Sequence, residues 1–211
     1  MIGVIDCSIG NIHSVAKALR SVGMPVLMVR QERDLRECDG LILPGVGAFG
    51  DGIRRLNERG LVEGIRRYAE SGLPLLGICL GMQLLFDTSE ELGHYEGLGI
   101  LRGRVVRLQE SPDYPAKLRV PHVGWQPLLM PQPEVSWADT LLKGLVQGDE
   151  VYFCHSFVAL PDDPECILAQ IEYGQRILAY VQNGNVYGCQ FHPEKSRHVG
   201  LSILRRFGSL V

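Results

Sequence analysis

Residues 73–86 read LPLLGICLGMQLLF, an apolar run that passes without a polar loop into a helical pattern. Pro74 to Ile78 has the length and apolar character of a buried strand, and Met82, Leu84 and Leu85 carry the helical spacing. Between them lies Gly77-Ile78-Cys79-Leu80-Gly81, a glycine two residues either side of a possible nucleophile. That is the sequence form of a sharp strand-to-helix turn, and its glycines let the turn pack against neighbouring backbone. Cys79 would then project from the carboxyl edge of a sheet, where open α/β folds place their ligand crevice. It would also stand at a helix N-terminus, whose partial positive charge favours an anion.

Reading toward the N-terminus, strand and helix patterns alternate. A strand at 2–6 leads to a helix with Ile12, Val15, Ala16, Leu19 and Val22 on one face, stopped by Gly23. A strand at 26–29, a short polar helix and a strand at 41–43 follow, then a helical region through Tyr68 broken near Gly60. This order predicts a mainly parallel open sheet with helices on both faces. After Gly93 short β-type runs take over, at 100–108, 118–123, 151–158, 167–172, 177–182 and 186–191. Their Gly, Pro and Asn punctuation predicts additional antiparallel strands, with a hairpin turn at Asn183-Gly184. A helix from about His198 to Phe207 ends the pattern, and 109–115 and 127–133 read as surface loops. The expected class is therefore α/β, with the 211 residues forming a single domain.

With 45% hydrophobic and 21% charged residues, the chain is not largely disordered. A net charge of −3 and the absence of a polybasic run argue against nucleic acid as the main ligand. Arg102, Arg104 and Arg107 read as a solvated strand face. The opening MIGVID enters a strand without a charged leader, so no signal peptide is expected, and the long uncharged stretch 71–86 is broken by Gly and Pro. A soluble cytoplasmic protein is expected. The six cysteines form no C-x-x-C pair and the six histidines no ligand spacing, so neither a disulfide framework nor a metal is expected, and no cofactor.

A cysteine nucleophile needs a base, and the base needs an orienting group. Gln190-Phe191-His192-Pro193-Glu194-Lys195-Ser196 supplies both at a strand end. In an extended segment residues two apart point to one side, which would bring Glu194 to the His192 ring. The loop Pro44-Gly45-Val46-Gly47 can offer the backbone N–H of Val46 or Gly47 to a developing oxyanion, and Leu80 N–H can offer another. Gly45 to Gly50 also fits the dinucleotide fingerprint G-x-G-x-x-G. That fingerprint belongs in the first βα turn, which here reads Cys7-Ser8-Ile9-Gly10-Asn11, so the match is discounted.

Together, PGVG at 44–47, GICLGMQ at 77–83, HSF at 155–157 and QFHPE at 190–194 resemble the class I, triad glutamine amidotransferases over essentially the whole chain. IGN at 9–11, PHVGW at 121–125 and HPEKS at 192–196 are similar to one branch, the glutaminase subunits of imidazole glycerol phosphate synthase. The resemblance implies Cys79, His192 and Glu194 as the triad and Val46 and Gly47 in the oxyanion strand. It implies that Gln83, His155, Ser156 and Phe157 hold the α-amino and α-carboxylate ends of L-glutamine. Asn11, His122, Trp125 and Lys195 would face a partner, a (βα)₈-barrel cyclase subunit, in a heterodimer of histidine biosynthesis. Trp125 as ordinary core and Asn11 as a helix cap stay open as plain alternatives. The family's Tyr-Gly after the first strand's Asp is replaced by Cys7-Ser8. Glutaminase subunits for anthranilate, aminodeoxychorismate or GMP synthesis, a general cysteine hydrolase, or a non-catalytic binding module would share parts of the pattern.

Overall fold

The structure, a computed structural model, describes residues 1–6, 11–108 and 118–211. The Cys7-Ser8 substitution, Ile9 and Gly10 of the IGN motif, and the expected loop at 109–115 lie outside the described residues.

The first half runs β1 (Ile2–Ile5), α1 (Ile12–Ser21), β2 (Val26–Val29), β3 (Gly40–Gly45), α2 (Phe49–Glu58), α3 (Val62–Glu70), β4 (Leu75–Cys79) and α4 (Leu80–Gln83). Gly60, at φ +65°, separates α2 from α3 where the sequence placed the break. Then come β5 (Phe86–Ser89), β6 (Tyr95–Glu96), β7 (Leu101–Arg107), β8 (His122–Pro127), β9 (Glu150–His155) and β10 (Phe157–Pro161). The chain closes with β11 (Ile167–Glu172), β12 (Arg176–Asn183), β13 (Val186–Cys189) and α5 (Arg197–Gly208).

Seven strands form one sheet in the order β11-β12-β13-β4-β3-β1-β2, parallel from β13 to β2 and antiparallel at β11 and β12. Strand alternation divides the core between its faces. Ile42, Leu76 and Ile78 pack with α1 and α5 through Val15, Leu19, Ile203 and Phe207. Leu41, Leu43 and Leu75 pack on the other side with Phe49, Leu56, Ile65 and Tyr68 of α2 and α3. The arginines of β7 are exposed, as expected of a solvated face, Arg102 and Arg104 by alternation and Arg107 after the buried pair Val105-Val106. Among the described residues no helix is long and apolar enough to cross a membrane.

Three boundaries differ from expectation, each because tertiary pairing overrides local pattern. The helix after Cys79 lasts one turn, since the carbonyls of Leu84 and Leu85 accept from Leu98, Ile100 and Leu101 and draw the chain into β5. The strand expected at 118–123 is shifted to His122–Pro127, where it pairs residue for residue with β9 from His122↔His155 to Pro127↔Glu150. The run 151–158 is two strands, because β9 pairs with β8 while β10 pairs with β7. The break falls at Ser156, so His155, Ser156 and Phe157 turn a corner between two sheets.

Candidate active site

The carboxyl ends of β3, β4 and β13 lie side by side, with Gly45 opposite Cys79 and Ile78 opposite Cys189. The turn after β4 is as tight as its glycines permit. A Cβ on Gly77 would meet Met82 backbone at 2.6 Å, and one on Gly81 would run into the Leu43 carbonyl oxygen. Cys79 itself sits at φ +54° and ψ −112°, a conformation that strains a residue with a side chain and is typical of a nucleophile turn.

His192 follows β13, and its Nδ1 lies 2.9 Å from Glu194 Oε1. The pairing is not made by strand alternation, because Pro193–Lys195 form a short 3₁₀ turn that folds the carboxylate back. Ser196 bolts this turn to β9: its hydroxyl donates to the His192 carbonyl at 2.7 Å and accepts from Tyr152 N–H at 3.0 Å. Asn11, at the start of α1, makes no side-chain cap and instead donates to Glu194 Oε1 at 3.1 Å. The His192 and Glu194 side chains are 3% and 1% exposed. Burial disfavours a charged ring, but hydrogen bonds to Cys79 and Glu194 and their negative charge outweigh it and push His192 up to about 10.

Cys79 and His192 open on a cavity of about 240 Å³ lined also by Val46, Gly47, Leu80, Gln83, His155, Ser156, Phe157 and Lys195. The structure thus brings every expected oxyanion and substrate residue to one hollow. His155 is neutral there, because burial pushes it down to about 3 while its Nδ1 bonds the Phe157 carbonyl. Asn11 stands behind the hollow on Glu194. His122, 2% exposed, points inward, stacks on Tyr173 with ring centres 4.0 Å apart, and bonds His155. Trp125 and Lys195 lie on the outer side of β8 and the 193–195 turn. Trp125 is half-buried against Tyr152, with the Arg197 guanidinium 4.6 Å from its ring centre, and Lys195 Nζ is 5.6 Å from the Tyr152 ring.

Three groups escaped the sequence reading. Gln190, fully buried, places its amide 3.8 Å from Cys79 Sγ. The Cys154 carbonyl lies 3.9 Å from the same sulfur. Glu91 lines the cavity, accepts the Phe49 N–H at 2.6 Å, and is raised by burial. Gln190 stands two residues before His192 and was open to an alternation argument; nothing in the run around Glu91 marks it out.

A class-I glutamine amidotransferase family model matches residues 3–209. The chain belongs to that family. This amidotransferase is 49% identical, over 98% of its length and 95% of the relative's, to imidazole glycerol phosphate synthase subunit HisH of Geobacillus kaustophilus (strain HTA426). It is 45% identical to the protein of the same name from Aquifex aeolicus (strain VF5), over 97% and 94% of the two chains. A crystal structure of a glutamine amidotransferase superposes on the amidotransferase with a TM-score of 0.75 at 23% identity, covering 99% and 97% of the two chains. The structure of PurLQS from Thermotoga maritima gives 0.71 at 20% identity, covering 98% and 95%. At those identities the superpositions establish the fold alone.

Proposed function

We propose that the chain is a single glutaminase domain, residues 1–211, and the glutaminase subunit of imidazole glycerol phosphate synthase, with Cys79, His192 and Glu194 as its triad. The observation that carries this reading is the placement of His192 between a buried carboxylate and a strained cysteine at the mouth of one small cavity. Its volume falls below the roughly 300–1,000 Å³ of sites for drug-sized ligands, which suits a single amino acid.

In the first step Cys79 sulfur attacks the carboxamide carbon of L-glutamine. The oxyanion is held by backbone N–H groups of Val46 or Gly47 and of Leu80. The C–N bond breaks as protonated His192 gives its proton to the nitrogen, releasing ammonia and leaving a thioester. Water, deprotonated by His192, then attacks the thioester and frees glutamate and the Cys79 thiol. Glu194 keeps the ring in one tautomer and supports its charged form. Gln83, His155, Ser156 and Phe157 hold the α-amino and α-carboxylate ends, and Glu91, the one carboxylate among the described lining residues, suits the ammonium.

Ammonia passes to a cyclase subunit, a (βα)₈ barrel in a heterodimer, acting on a phosphoribulosyl-formimino aminoimidazole carboxamide ribonucleotide to give imidazole glycerol phosphate and the aminoimidazole carboxamide ribonucleotide. Exposed Val123 and Cys154 are paired on adjacent strands, with Trp125, Lys195 and Arg197 beside them, and this surface adjoins the cavity. It suits a partner, with Trp125 and Lys195 as direct contacts, and Asn11 and His122 acting from behind. The subunit works in the cytoplasm. Glutamate release, measured alone and with the cyclase subunit and its nucleotide, is expected to rise strongly with the pair. Equal rates would remove the coupling and point to another synthase.

A further inference from the structure

One backbone carbonyl fixes the polarity of a hydrogen-bond chain that ends on the nucleophile. Phe157 O can only accept, and it takes Gln83 Nε2 and His155 Nδ1, each at 2.9 Å. Gln83 therefore has its amide nitrogen on this side, and its second N–H reaches Gln190 Oε1 at 3.0 Å. With its oxygen engaged, Gln190 must turn its NH₂ the other way, toward Cys79 Sγ at 3.8 Å. On the other arm, a proton on His155 Nδ1 leaves Nε2 as acceptor, so His122 Nδ1, 3.0 Å away, is the donor. His122 Nε2 is then a bare lone pair, and among the described residues it is one of the buried side-chain atoms without a hydrogen-bond partner. Gln190 is 0%, His122 2%, Gln83 5% and His155 6% exposed, so none of these orientations is set by solvent.

We infer that Gln190 is a further catalytic residue, donating a side-chain N–H to the Cys79 sulfur, and that Gln83, the Phe157 carbonyl and the His122–His155 pair fix its aim. The inference rests on the reading of Cys79 as nucleophile. An amide does not titrate, so its donation persists after His192 has given its proton to ammonia. Gln190 is then the donor remaining on the sulfur when water expels it from the thioester, when thiolate character returns. The Cys154 carbonyl, on the same sulfur, accepts from the thiol form, so the two forms have separate partners.

The test is Gln190→Met, similar in size but without a donor, in the complex with the cyclase subunit and its nucleotide. Alkylation of Cys79 by iodoacetamide and kcat for glutamine are expected to fall together by roughly ten- to a hundredfold, as for loss of a hydrogen bond to a charged group, with KM little changed. Gln83→Met, which frees the Gln190 amide, is expected to slow alkylation less and to raise KM. Unchanged alkylation in a folded Gln190→Met protein would overturn the assignment, as would a fall in kcat without one in alkylation. If Gln190→Met does not fold, unchanged alkylation in Gln83→Met overturns it instead. Glutaminase activity surviving in Cys79→Ser would sink the reading beneath it and not the donor geometry.

Discussion

Two histidines line one cavity, both almost fully buried, and their charges are set in opposite directions. His192 is pushed up to about 10, whereas His155 is pushed down to about 3. Burial acts against charge on both. The difference is in the partners: His192 meets a carboxylate and a cysteine sulfur, while His155 meets a neutral carbonyl and a second neutral imidazole, His122, itself lowered to about 4 by burial. One ring is built to carry and hand over a proton, and the other to stay neutral beside the substrate. Position in the cavity does not decide the role; what touches the far nitrogen does.

The strongest way to break the contrast is to take the charge from behind His192. Glu194→Gln keeps the shape and one acceptor, and is expected to lower kcat for glutamine by roughly 10²–10⁴-fold, in line with loss of the orienting carboxylate in other triads. The His192 pKa, followed by NMR, should fall toward its ordinary value. A His192 that still titrates near 10 in that variant would show that Glu194 is not its support.

Stability against pH sharpens the same comparison. His192, raised from 6.5, contributes stability that is full below about 6.5 and is lost as pH rises through about 10. His155 and His122, lowered from 6.5, contribute stability that is full above about 6.5 and is lost as pH falls through about 4 and then 3. At about 1.4 kcal/mol per pKa unit, each limb is worth on the order of a few kcal/mol. Denaturant midpoints across pH should show His192→Asn flattening the alkaline limb alone, and His122→Asn combined with His155→Asn flattening the acid limb alone. Both limbs surviving these substitutions would contradict the account.

Much of this site is legible in the sequence alone. Gly77 and Gly81 announced the turn because only glycine tolerates backbone so close, and the alternation up to β4 set the parallel sheet. The second half was less legible because its strands answer to distant partners. The run 151–158 reads as one strand, and only β7 and β8 competing for it create the corner that presents Ser156. Glu91 is silent in the sequence because its meaning lies in a contact with Phe49, far off in the chain; Gln190 has only its spacing from His192 to mark it, and its role lies in the contact with Cys79. Ser196 gives the smallest expected effect. Ser196→Ala loses bonds to His192 and Tyr152, for about 1–3 kcal/mol of stability and a modest fall in kcat, readable by thermal melting and assay together.

The most direct test of the central claim is glutamate release by the complex, compared between the natural chain and Cys79→Ala, with electrophilic glutamine analogues used to label the protein. The account predicts that the natural chain is labelled at Cys79 and turns over, while Cys79→Ala folds, binds its cyclase partner, takes no label and releases no glutamate. Undiminished glutamate release by Cys79→Ala would contradict it.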